Sequence, residues 1–325
     1  MKIIVTGGCG FIGSHLVKKL LEENHFVIAI DNLISGDIEN INPFKNKKNF
    51  LFIKADVIFP LKNIPKVDAI FHLASPASPN HHSPISFHHL GLETMLVNTV
   101  GTLELLKLAK KFDAKFLFAS SSEVYGDPLI HPQKENYYGN VNPVGARSVY
   151  DEAKRFGETL TFYFFKKENV NARIARIFNT YGPNMRIDDK RMVVNFIVQA
   201  LKNQPITIFG NGKQTRSLCY VEDLVEGLIK LMFGKNTKGE VVNLGNPEEH
   251  TVLEYAKIIK KLTSSKSKIV FEEPLPQDDP KKRKPDIEKA KRLLGWQPKT
   301  SLKEGLKKTI DYFKVKLKIS NKKIL

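Results

Sequence analysis

Cysteine is nearly missing: Cys9 and Cys219 are the only two in 325 residues. Two thiols cannot build a disulfide framework or a cysteine-based zinc site, and such sparing use fits a reducing cytoplasm. No apolar run approaches the roughly 20 residues of a membrane-spanning helix, so no membrane partner is expected. The opening Met1-Lys2-Ile3-Ile4-Val5-Thr6-Gly7 already reads as a strand entering a turn, which leaves no place for a signal peptide. Acidic residues are also scarce, 34 against 51 Lys and Arg, a net charge of +17. Sixteen of the basic residues and only four acids fall between Lys281 and Leu325, so most of the excess sits in a basic tail. Such a tail could touch phosphates, but no nucleic-acid motif accompanies it and no nucleic-acid partner is expected. With 42% apolar and 26% charged residues, wholesale disorder is excluded. Repeats and low-complexity blocks are absent.

What is present is alternation. Lys2–Thr6, Phe26–Asp31, Leu51–Ala55, Ala69–Leu73, Lys115–Ser120 and Ala172–Phe178 are short apolar or β-branched runs bounded by turn residues, and read as strands. Ser14–Asn24 places Leu16, Val17, Leu20 and Leu21 on one helical face, with Lys18, Lys19, Glu22 and Glu23 opposite. Thr94–Phe112, with Leu96, Val100, Leu103, Leu106 and Ala109, and Tyr150–Lys167 read as further helices. Strands alternating with helices predict an α/β fold, a doubly wound parallel sheet with right-handed crossovers. After Asn179 the elements shorten: helices near Met192–Lys202, Glu222–Phe233, Val252–Leu262 and Ile287–Leu294, and a strand at Ile206–Phe209. Pro274, Pro276, Pro280 and Pro285 mark an extended connection. The expected division is a nucleotide-binding domain over 1–178, a smaller and mostly helical substrate-binding lobe over 179–312, some of which could return to the first, and a frayed basic tail over 313–325.

Gly7-Gly8-Cys9-Gly10-Phe11-Ile12-Gly13 follows the first strand and opens the first helix. Glycines there allow a tight turn and bring backbone close to a pyrophosphate, which the helix N-terminus attracts. A glycine pattern alone is weak; strand, turn and helix in succession make it strong. Asp31 ends the second strand, 18 residues past Gly13, where a carboxylate accepts hydrogen bonds from an adenosine ribose. No arginine occurs between Asp31 and Gly36 to receive a 2′-phosphate, so NAD is expected over NADP. Asn32, Ser35 and Gly36 belong to that same ribose turn, and Asp56-Val57 is placed to meet the adenine.

Tyr150 and Lys154 stand four apart, hence on one helical face. A nearby ammonium favours a tyrosine's phenolate, and such a pair can take the proton of a sugar hydroxyl as a hydride leaves the same carbon. Ser120-Ser121-Ser122-Glu123-Val124-Tyr125-Gly126 follows the strand Lys115–Ala119 and sets hydroxyls and a carboxylate at the sheet's carboxyl edge.

Taken together, these motifs resemble the extended short-chain dehydrogenase/reductase superfamily of Rossmann-fold enzymes that act on nucleotide sugars. His72-Leu73-Ala74-Ser75-Pro76-Ala77-Ser78-Pro79, Gly139-Asn140-Val141-Asn142-Pro143, Tyr150-Asp151-Glu152-Ala153-Lys154-Arg155, Ala175-Arg176-Ile177-Phe178-Asn179-Thr180-Tyr181-Gly182-Pro183, Gln214-Thr215-Arg216-Ser217 and Arg283-Lys284-Pro285-Asp286-Ile287 resemble the UDP-glucuronate decarboxylase (UDP-xylose synthase) family. The likeness runs from Lys2 to about Tyr312. It implies oxidation of the sugar C4 by NAD, loss of carbon dioxide from the β-keto acid, and re-reduction by retained NADH. By the same resemblance Tyr150 is the C4 base, Lys154 supports it and holds the nicotinamide ribose, and Ser121 bonds the C4 oxygen. Glu123 lies near C5. Arg283 neutralises the sugar carboxylate or helps protonate C5, and Arg216 grips the pyrophosphate. Asn179 and Asn195 match substrate contacts; Leu73, Ala74, Ser75, Asn98, Ala119, Thr180 and Arg191 match positions close to cofactor or substrate. Members pair as homodimers through a four-helix bundle, for which Thr94–Phe112 and Tyr150–Lys167 are the candidate helices.

The chain departs from better-known members between Asn80 and Thr94, where His81-His82, Ser83-Pro84 and His88-His89 lie in a longer connection, and Leu96 replaces a lysine. Adjacent histidine pairs cannot readily aim both rings at one ion and no carboxylate has ligand spacing, so no metal is expected. Cys9 is expected only to pack. The rival reading is a nucleotide-sugar 4-epimerase or 4,6-dehydratase, but a dehydratase would show Asp-Glu where this chain has Ser122-Glu123, and neither rival accounts for Arg283.

Overall fold

In the computed structural model, which describes residues 1–274 and 278–322, seven parallel strands form one sheet. They are β1 (Lys2–Thr6), β2 (Phe26–Asp31), β3 (Phe50–Lys54), β4 (Ala69–His72), β5 (Lys115–Ser121), β6 (Ala172–Ile177) and, after four short strands of the second half, β11 (Val241–Leu244). The order is β11-β6-β5-β4-β1-β2-β3, with Thr6 facing Ile30 on one side and His72 on the other. Chain direction across the sheet reverses between β1 and β4, so a crevice opens at their carboxyl ends.

Helix α1 (Phe11–Glu22) buries Leu16, Val17, Leu20 and Leu21, the face read from its spacing. Two further helices cover the opposite face of the sheet, with a wide turn between them. They are α2 (Gly91–Leu96) and α3 (Thr102–Phe112), joined at Val97–Gly101. That turn rotates the pattern expected for one continuous helix: Val97, Leu105 and Leu106 point inward, while Val100 is exposed. Helix α4 (Ser148–Lys167) packs beside them and carries Tyr150 and Lys154.

The second half contributes β7 (Thr180–Tyr181) with β10 (Cys219–Tyr220), β8 (Ile206–Phe209) with β13 (Ile269–Glu273), and β9 (Thr215–Ser217) with β12 (Glu249–Thr251). Helices α5 (Met192–Leu201) and α7 (Val252–Leu262) flank these pairs. Helix α6 (Val221–Phe233) returns to pack against α1, and β11 then joins β6, so residues 221–244 belong to the layers of the main sheet. Trp296, just past α8 (Glu288–Leu294), is buried and donates to the Asp223 carbonyl at 2.9 Å.

Fraying does not begin at Tyr312. Helix α9 runs Leu302–Lys322, because Leu302, Leu306, Ile310 and Phe313 recur at helical spacing and are all buried. Each such side chain contributes about 1.5–3 kcal/mol, enough to order a lysine-rich helix. Pro276 and residues 323–325 lie outside the described residues.

Gly157 sets how closely α4 approaches the sheet. A Cβ there would lie 2.3 Å from Phe118 Cζ and 2.9 Å from the Asn98 carbonyl oxygen. Alanine's helix preference, worth about 1 kcal/mol over glycine, is outweighed by such overpacking, which costs about 1–3 kcal/mol. Gly157→Ala is therefore expected to lower both the melting temperature and turnover, since α4 must shift; an unchanged melting temperature would contradict this packing.

Candidate active site

The crevice holds a cavity of about 450 Å³, within the range of small-molecule sites. Its floor is the glycine turn. Gly7 has φ +68°, and a Cβ on it would lie 2.9 Å from the Ala74 backbone; one on Gly13 would lie 2.0 Å from the Gly7 carbonyl oxygen. Only glycine fits, so β1, β4 and the first turn of α1 interlock. Helix α1 is preceded by Gly10, which offers no side-chain cap, and this leaves its first amides for an anion. Asp31 is buried beyond it and accepts from the Cys9 amide at 3.0 Å and the Leu33 amide at 2.8 Å. Burial raises its pKa, against the pull of those two bonds. Asn32 donates to Asp56 at 2.9 Å. Burial, then the Asp31 charge, push the Cys9 thiol far up, so it stays inert. This floor fits a dinucleotide's pyrophosphate and ribose.

Tyr150 and Lys154 face the far wall, both nearly buried. The Lys154 ammonium donates to the Ala119 carbonyl at 2.8 Å and lies 5.6 Å from the centre of the Tyr150 ring. Burial lowers Lys154 to about 7, partly offset by Glu158. Burial raises Tyr150 to about 12, against a hydrogen bond with Ser121. A phenol beside a lysine that titrates near neutrality can pass a proton to and from a bound hydroxyl.

Ser121 ends β5 and accepts from the Glu123 amide at 3.2 Å, which turns the Glu123 carboxylate toward α4. There Arg147 Nη2 donates to it at 2.6 Å and Arg283 Nη2 at 3.0 Å. Burial would raise Glu123; the charges of Arg283 and Arg147 overcome it and hold the carboxyl near 2. Arg147 also reaches Asp279 at 3.4 Å, and Arg216 pairs with Asp279 at 2.7 Å. Sequence reasoning missed Arg147, Asp279 and Asp151. For Arg147 the signal was its place three residues before Tyr150, on the same helical face.

All other expected residues line this cavity except Asn98 and Arg283. Asn98 lies behind Ser75, donating to its hydroxyl at 2.8 Å. Arg283 does reach in from the second half, but stands fully buried behind Glu123 and donates to the Ser122 carbonyl at 2.8 Å; it is not part of an exposed basic run. Arg191 pairs with Asp189 at 3.1 Å. His72 is buried and bonds Thr6 at 2.8 Å, while the rings of His81 and His88 stack at 4.0 Å. Among the described residues no three His, Cys, Asp or Glu side chains are grouped to hold a metal ion.

The family model described as GDP-mannose 4,6 dehydratase matches residues 4–309. UDP-glucuronic acid decarboxylase 1 of Danio rerio is 50% identical over 96% of this chain and 72% of its own. UDP-glucuronic acid decarboxylase 3 of Arabidopsis thaliana is 49% identical over 98% and 91%. The chain belongs to the UDP-glucuronic acid decarboxylase family. Among solved structures, the UDP-glucuronic acid 4-epimerase of Bacillus cereus, in complex with UDP-glucuronic acid and NAD, is 30% identical, covers 97% of this chain and 99% of its own, and superposes with a TM-score of 0.84. The Rossmann-like α/β architecture is thus shared with nucleotide-sugar epimerases, while the relatives near half identity are decarboxylases.

Asp151 supplies a pH test of this charge cluster. Burial, then the Glu123 charge, push its carboxyl up to about 8 from the ordinary 3.8, against Arg147 and Arg283. The folded protein therefore holds a proton that the unfolded chain has lost, and this group's contribution to stability falls as pH rises from about 4 to about 8. Asp151→Asn stays neutral, so its melting temperature is expected to gain on wild type steadily across that window and level off above it. A difference independent of pH would contradict the assignment.

Proposed function

We propose that this protein decarboxylates UDP-glucuronate to UDP-xylose, with NAD held on the glycine floor. The observation that carries the reading is the Tyr150–Lys154 pair set beside an arginine-clamped Glu123, in a chain half identical to decarboxylases over nearly its full length. NAD, when bound, supplies the hydride acceptor that allows a ketone at C4 and the hydride that later reduces it. Asp31, with no arginine between it and Gly36 in the chain, favours that cofactor over its 2′-phosphate form.

Tyr150 takes the proton of the C4 hydroxyl, and Ser121 holds the oxygen. Lys154 stabilises the phenolate and reaches the nicotinamide ribose. The resulting ketone lies β to the C5 carboxylate, so carbon dioxide leaves with its bonding electrons passing into an enolate. A proton then returns to C5. Glu123, fixed as an anion, orders the proton traffic near C5 and disfavours the substrate carboxylate by like charge. Arg147, which lines the cavity, and Arg283 behind it keep that carboxylate partly neutralised. Arg216, Asn179 and Asn195 hold the nucleotide end, with Arg216 on the pyrophosphate. Thr180, Arg191 and Leu73–Ser75 line the cofactor side, and Asn98 acts through Ser75.

A cytoplasmic homodimer through Thr94–Phe112, which spans the end of α2 and all of α3, and α4 completes the reading. Phe156, Phe162 and Tyr163 of α4 are about half exposed, a face suited to a second copy, and both cysteines are unpaired and buried. Epimerisation or 4,6-dehydration is not favoured by the relatives near half identity.

The test is incubation with UDP-glucuronate and NAD, followed by mass and NMR analysis of the sugar. Loss of carbon dioxide and appearance of UDP-xylose are expected; an intact or merely epimerised sugar refutes the reading. Tyr150→Phe is expected to lose about 10²–10⁴-fold in turnover. Glu123→Gln is expected to slow decarboxylation while C4 oxidation survives. If both steps run normally in that variant, Glu123 has no such role.

A further inference from the structure

The longer connection after β4 does more than join two elements. Its Phe87 is buried against α4, its ring 4.9 Å from that of Tyr150 with the planes within 16° of parallel. The Arg147 guanidinium lies 5.4 Å from the centre of the same ring. One aromatic side chain therefore touches both the tyrosine and the arginine that face the cavity. The segment bearing it is tied down at several points. The Phe87 amide donates to the Ser78 carbonyl at 3.0 Å. Ser78 Oγ donates to the Asp189 carbonyl at 2.7 Å, Asn80 Nδ2 to the Lys190 carbonyl at 2.7 Å, and Ser83 Oγ to the Asp188 carbonyl at 2.6 Å.

A tyrosine's ring torsion is intrinsically broad; turning it leaves the phenol oxygen on the torsion axis but swings the ring plane, in which the O–H bond prefers to lie. A near-parallel ring held by an anchored loop fixes that plane. We propose that Phe87 is a positioning residue: it fixes the ring plane of Tyr150 and steadies the Arg147 guanidinium, so that phenol and arginine meet the sugar in register. This inference rests on the reading of Tyr150 as the C4 base. Stacked aromatic pairs and cation–π contacts supply the restraint, and small misplacements of a reacting group cost up to about 10²-fold in rate.

The experiment compares full-length wild type, Phe87→Leu and Phe87→Tyr, loaded with NAD and given UDP-glucuronate. Phe87→Leu keeps the bulk and loses the plane; its kcat is expected to fall about ten- to a hundredfold, with KM changed less than about twofold. Phe87→Tyr restores the plane and most of the kcat. Wild-type kcat in Phe87→Leu, even with a lowered melting temperature, would reduce Phe87 to packing and overturn the proposal, as would a Phe87→Tyr as slow as Phe87→Leu. Wild type that fails to release carbon dioxide sinks the proposed reaction instead. A second readout needs no turnover: the Tyr150 ¹³Cζ resonance, assigned by its loss in Tyr150→Phe. It is expected to be one sharp line in wild type and Phe87→Tyr, and broadened or split in Phe87→Leu. An equally sharp line in Phe87→Leu overturns the positioning role.

Discussion

Desolvation at the end of β5 is the constraint on which the site depends. Lys154 and Tyr150 are withdrawn from water together, and the lysine donates there to the Ala119 carbonyl. That environment makes the ammonium easier and the phenol harder to deprotonate than in water. In such a medium a single added positive charge acts strongly on the phenol, because little solvent screens it. The pair is thus placed to respond strongly to a cationic ring bound beside it.

The same dryness explains the ionic cluster beside it. Burial alone would raise the Glu123 carboxyl; it is held low because Arg283, from the second half, and Arg147, from the start of α4, converge on it. Such a cluster is poor evidence for stability, since removing charges from water costs several kcal/mol per ion before pairing offsets it. Its use is geometric. Arg283 and Asp279 stand more than 130 residues from Arg147 and Glu123 in the chain, yet they complete the same network. Both halves of the chain therefore contribute to holding Glu123 as a buried anion.

How much of this could be read from the residues differed from element to element. β1 and β2 carried their own boundaries, as unbroken apolar runs closed by glycine or aspartate, and the glycine floor followed from them. Tyr150 and Lys154 were legible because a four-residue spacing defines one helical face. α9 was not, because lysines interleave its buried apolar side chains and hide the stripe. β11 was missed because Val241-Val242-Asn243-Leu244 is short and follows a helix in what looked like a separate lobe. Arg147, Asp151 and Phe87 were silent for another reason. Their importance lies in which side chains meet across distant elements, and no local pattern encodes that. Asn98 and Arg283 were legible as residues of interest, but not as residues set back from the cavity wall.

The central claim is that bond breaking at C5 waits on a carbonyl made at C4. A single turnover with UDP-glucuronate deuterated at C4, stopped before product release, tests it by mass analysis of the cofactor and sugar. The account predicts that the deuterium is found on the nicotinamide by the time carbon dioxide appears. Carbon dioxide released while the deuterium has never left C4 would contradict it.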